Sequence, residues 1–145
     1  MSGAPPNYAQ IAQRMLAQEA AGATTPSARA LAAGAVQQRL HQRLVPLIGV
    51  EGVRALFARS VKVTSAEFPE LMRLQGLGLG DAANFAKQLI DALQADEGRN
   101  AQSAAETLYA NFLSLTATLI GERLVLMVLQ RSFPTLDVAA KQESQ

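Results

Sequence analysis

The sequence predicts an all-α fold: a compact bundle of five to seven helices with a long apolar C-terminal helix as its central element. Three observations lead there. The chain has 145 residues, 49% of them hydrophobic and 17% charged, which is enough apolar material for one core and too little length for two. Ala, Leu, Gln, Arg and Glu are abundant, and all favour helix. Strand signals are scarce, because aromatic residues make up only 5% and no stretch longer than residues 60–64 alternates apolar and polar positions.

Each element can be argued in turn. Asn7, after Pro5-Pro6, is placed to cap a first helix running to about residue 21, with a thin stripe of Ile11, Met15 and Leu16. Gly22-Ala23-Thr24-Thr25 reads as a linker, and Thr25 caps a second helix with Pro26 at its first position. Val36, Leu40, Leu44 and Leu47 share one face of it; Pro46 should kink its last turns and Gly49 should end it. A third helix, about 51–61, points Val53, Leu56, Phe57 and Val61 inward and is broken by Val63-Thr64-Ser65. A short fourth covers 66–74 with Phe68, Leu71 and Met72. After the loop Gly76-Leu77-Gly78-Leu79-Gly80, Asp81 caps a fifth helix carrying Phe85, Leu89, Ile90 and Leu93. Ser103-Ala104-Ala105-Glu106 has the pattern of a capping box, so a sixth helix should start there. Its apolar series of Leu108, Phe112, Leu115 and Leu119 continues past Gly121 through Leu124, Val128 and Leu129, as one bent helix or as two. Residues 1–25 are thus read as an N-terminal arm, 26–134 as the bundle and 135–145 as a polar tail.

Composition removes most chemistries. Without cysteine there is no disulfide framework, thiolate nucleophile or Cys-containing metal site. His41 is the only histidine, too few for a zinc site within one chain. The glycine run at 76–80 follows no strand and is followed at once by Asp81, so it lacks the setting of a phosphate loop. No cofactor and no metal are expected. The N-terminus has neither a basic start nor an apolar run, so the expected compartment is the cytoplasm. The greasiest stretch, 112–129, contains Glu122 and Arg123, each costing roughly 2.5–3.5 kcal/mol at a bilayer centre, so it should be buried against protein rather than lipid.

Charge is uneven. Residues 1–62 carry +5 and residues 63–145 carry −4. Arg39, Arg43, Arg54 and Arg59 are the candidate partner-binding residues of the basic half, with Gln37, Gln38 and Gln42 interleaved. The expected arrangement sets the basic half against the acidic half, within the bundle or across a dimer. Glu122 interrupts an apolar helix and is expected either to face solvent at a helix start or to form a buried ion pair with an arginine such as Arg54 or Arg59.

Two patterns invite comparison. Leu47-Ile48-Gly49 precedes Arg59-Ser60 at the spacing by which Leu119-Ile120-Gly121 precedes Arg131-Ser132, and Ile11, Met15 and Leu16 match Phe85, Leu89 and Ile90. A duplicated three-helix unit would explain this, although helices rich in Leu, Val and Arg also coincide by composition, which is the reading the sequence favours. Separately, His41 with Pro46 five residues on resembles the phospho-acceptor box of sensor histidine kinases, which would imply phosphotransfer. The pattern departs at Gln42, Leu44 and Val45, where an acid, an arginine and a threonine belong, so His41 is read as a rim histidine on an amphipathic helix.

The expected function is a non-enzymatic helical interaction or regulatory module whose partner is another protein or a second copy of itself, as a homodimer. The alternatives are a nucleic-acid-binding regulator using the basic first half and a small-molecule sensor with an apolar cleft between helices.

Overall fold

A computed structural model describes residues 7–21, 25–74, 82–95 and 101–133. They form five α-helices and one 3-10 helix: α1 (Tyr8–Ala20), α2 (Pro26–Ser65), the 3-10 helix Pro69–Leu74, α3 (Ala82–Ala95), α4 (Ala101–Ile120) and α5 (Glu122–Ser132). The all-α bundle stands as expected. Asp81, the glycine run 76–80 and the tail 135–145 lie outside the described residues.

The first two caps form as the sequence implies. Asn7 Oδ1 accepts from the Gln10 amide at 3.1 Å, and Thr25 Oγ1 accepts from the Ala28 amide at 3.2 Å. The expected capping box at Ser103 does not form. The helix already begins at Ala101, so Ser103 lies inside it, and Glu106 instead accepts from Gln102 at 2.6 Å and from Gln13 of α1 at 3.4 Å.

Helix breaks fall at glycine. Within α2 the only non-helical dihedrals are those of Gly49, at φ 83° and ψ 160°, and Pro46 stays inside the helix. Gly121, at φ 97° and ψ 148°, separates α4 from α5. Both conformations are open essentially to glycine alone, since a Cβ would be strained there. The long apolar C-terminal helix is therefore two helices. Beyond Gly49 the helix continues through residues 63–65, where a break was expected, and Thr64 and Ser65 turn their hydroxyls back onto the Ser60 and Lys62 carbonyls at 2.7 and 3.1 Å, which spares them competing for a backbone group outside the helix.

The core runs through every helix. α4 is central, with Leu108, Tyr109, Phe112 and Leu113 buried. Phe57 stacks on Phe112 at 4.0 Å between ring centroids and meets Tyr109 edge-on at 6.4 Å. The Tyr109 hydroxyl donates to the Ala33 carbonyl of α2 at 2.6 Å. The presumed arm is a core element: α1 buries Ile11, Ala12, Met15 and Leu16 against α4 and α2. The 3-10 helix adds Leu71. No helix among the described residues is long and apolar enough to cross a membrane.

Burial repeats along the chain. With Gly49 laid on Gly121, 72 residues apart, each buried residue from Ala32 to Val61 except Gly34 has a buried counterpart in α4, in α5 or at Phe133. Thus Val36 answers Leu108, Leu40 answers Phe112, Val53 answers Val125, Phe57 answers Leu129 and Ser60 answers Ser132. Gly34 is the exception because Ile90 of α3 lies directly against the helix there.

A candidate docking groove between α2 and α5

Two helix faces meet to make one open groove. On α2, Arg39, Gln42, Arg43, Pro46 and Leu47 recur at helical spacing. On α5, Leu124, Met127, Val128 and Arg131 follow the i, i+3, i+4, i+7 pattern. The apolar end holds about 240 Å³ and the polar end about 260 Å³, and they share Gln42, Arg43 and Arg131. The α5 wall, from Leu124 to Arg131, is about 10 Å long at helical rise.

The arginines fall into two kinds. Arg39 is tied into the fold: its guanidinium pairs with Glu19 of α1 at 2.5 Å, donates to the Ser132 carbonyl at 3.2 Å and lies over the Phe133 ring at 5.6 Å. Arg43 is exposed and, among the described residues, donates to the Arg131 carbonyl at 3.5 Å. Both therefore satisfy carbonyls at the C-terminal end of α5, where cations are favoured by the helix dipole. Arg131 is exposed on the facing wall. Among the described residues no carboxylate lines the groove, while Leu47 and Met127 are 47% and 44% exposed on its floor. Ser132, at the polar end, is buried with its hydroxyl unpaired; its counterpart Ser60 donates to the Leu56 carbonyl at 2.7 Å.

The other residues singled out in the sequence lie elsewhere. Arg54 pairs with Glu51 at 2.7 Å, one turn away, and sits close enough to His41 to disfavour its protonation. Burial lowers the His41 pKa first and Arg54 second. Arg59 is exposed and lines neither end of the groove. Glu122 is not a buried ion pair: the break at Gly121 sets it, exposed, in the first turn of α5, where the helix dipole favours an acid. It stands near Tyr8, whose pKa is raised by burial and then by this carboxylate. The ion pairs Arg39–Glu19 and Arg54–Glu51 both join residues of the basic half.

Sequence reasoning named Arg39 and Arg43 but not Leu124, Met127 or Arg131 as site residues. The repeated Arg-Ser at 59–60 and 131–132 was the one available hint. Among the described residues, no three His, Cys, Asp or Glu side chains gather as a metal site requires. No known family model, curated protein or solved structure matches the chain.

Proposed function

We propose that this chain is a non-enzymatic interaction module of the cytoplasm, which docks an acidic amphipathic helix of a partner protein into the groove between α2 and α5. The observation that carries this reading is an exposed apolar floor, Leu47 and Met127, set between Arg43 and Arg131 with no carboxylate among the described lining residues. Two helix faces flanking an open channel suit a third helix, whose apolar anchors would cover the floor while its acids meet the rim. Phosphates would use the arginines and leave Leu47 and Met127 in water, which disfavours nucleic acid. A second copy docked two-fold through the same groove would set Arg43 and Arg131 against their own images, so self-association would need another face.

The test is direct binding of a fluorescent acidic amphipathic peptide, with leucines at helical spacing flanked by glutamates. Binding should weaken roughly tenfold or more in Arg43→Glu, about 1.4 kcal/mol, because attraction at the rim becomes repulsion. Arg59→Glu, a reversal outside the groove, should leave it unchanged. Equal losses in both variants would point to general charge attraction and sink the proposal. So would preference for a duplex oligonucleotide with steep salt dependence.

A further inference from the structure

We infer that the protein is a fused pair of three-helix units packed about a pseudo-two-fold axis, so that the docking groove has a twin face from which its specificity residues, Arg43 and Met127, are missing. The unit is α1, residues 26–48 and residues 50–65 in the first half, and α3, α4 and α5 in the second. Four observations converge. The two breaks occupy the same glycine-only backbone region at equivalent positions. Buried residues from Ala32 to Val61, Gly34 excepted, have buried counterparts between Ala104 and Phe133, while buried Leu113 and Val128 answer half-buried His41 and Leu56. Leading helices correspond only after a shift of two residues, 74 rather than 72 apart, where Ala12 and Met15 of α1 and Ala86 and Leu89 of α3 are all buried.

Packing between the halves is also reciprocal, although packing within them is not: α1 lies closely on α2, and α3 only lightly on α4. α1 lies against α4 of the other half, and α3 lies against α2, where Ile90 meets Gly34. Arg39 reaches across to the Ser132 carbonyl in α5; its counterpart Asn111 reaches across to Thr64 Oγ1, at 2.9 Å, in the last turn of α2. Tyr109 and Gln37 are themselves counterparts, and both are buried.

The pairing acts as an internal alignment. Across the core the two copies mostly keep apolar for apolar and match Ser60 with Ser132, with exceptions at Leu44/Thr116, His41/Leu113 and Gln37/Tyr109, while on the groove they diverge. Arg43 becomes Leu115, Met127 becomes Ala55 and Leu124 becomes Gly52, and Gln42 and Pro46 are replaced by Ser114 and Thr118, whereas Leu47 is matched by Leu119 and Arg131 by Arg59. Leu119 is 59% exposed, and Ala55 and Arg59, which the pseudo-symmetry sets on the same twin face, are exposed as well. Fusion frees one copy to change alone, which identical protomers of a homodimer cannot do. Arg43 and Met127 are thus the positions at which the first face gained its partner preference.

This rests on the docking reading above, and the experiment separates the two. The unaltered protein should bind one acidic amphipathic peptide, measured by titration calorimetry. The double variant Leu115→Arg/Ala55→Met should bind two, because it copies the missing pair onto the twin face. A folded double variant that still binds one overturns the assignment. No binding by the unaltered protein defeats the docking reading alone. Pseudo-symmetry is then decided by a graft in which residues 122–133 are replaced by the sequence of 50–61. That chain should stay helical with a cooperative melt, whereas a shuffled segment of the same composition should not. A graft that unfolds like the shuffled chain overturns the inference.

Discussion

His41 is the only histidine and would ordinarily titrate near pH 6.5. In the fold its pKa is lowered, chiefly by burial and then by Arg54. Between the lowered value and 6.5 the unfolded chain therefore holds more of this proton than the folded chain, so stability rises with pH across that window. The penalty grows as pH drops below 6.5 and levels off under the folded value. The His41 ring proton signal should show a midpoint below 6.5 by NMR titration, and His41→Gln should flatten the slope of stability against pH over that range. A midpoint at or above 6.5 would contradict this. Residue-level signals in the sequence were reliable where the physics is local: Asn7 and Thr25 cap their helices because a cap needs only its own first turn. The Ser103 box failed because Glu106 found partners in Gln102 and in Gln13, one of them on another helix.

Gly49 and Gly121 decide the elements. A Cβ added at either would meet nothing within 4 Å, so an alanine there meets no steric obstacle beyond its own backbone. What it would meet is a positive φ of 83° or 97° at extended ψ. Gly49→Ala and Gly121→Ala should each cost about 1–3 kcal/mol from backbone strain alone, read as a shift of the urea midpoint with unchanged slope. The two losses should agree closely if the breaks are equivalent. An alanine that stabilises, by lengthening the helix through the break, would show that the glycine conformation is not required. Periodicity revealed most of these elements, since each helix places its apolar residues at its own 3.6-residue spacing. It could not reveal the groove, because Arg43 and Met127 are joined by packing between segments more than eighty residues apart, and neither wall carries a signal of the other. The continuation of α2 through Thr64 was likewise hidden, because β-branched and hydroxyl residues read as a stop unless their hydroxyls are known to bond back onto the helix.

At the scale of the molecule, the two halves are interlocked rather than stacked. A linear array of repeats can lose its units one by one, since each unit contacts only its neighbours. Here each leading helix lies on the central helix of the opposite half, and each central helix bonds to the third helix of the opposite half. Phe57 of the first half is stacked on Phe112 of the second, so opening either half exposes the aromatic core of both. Each unit loses much of its buried face when the other unfolds. Unfolding should therefore be a single transition despite the internal repeat, with helical signal and tertiary signal lost together. Hydrogen exchange gives the sharper test. The slowest amides of α2 around Val36 and Leu40 and those of α4 around Leu108 and Phe112 should open with one shared free energy equal to global stability. An α2 that exchanges through a partial opening while α4 stays protected, or the reverse, would show that the halves are independent and that the reciprocal contacts contribute little.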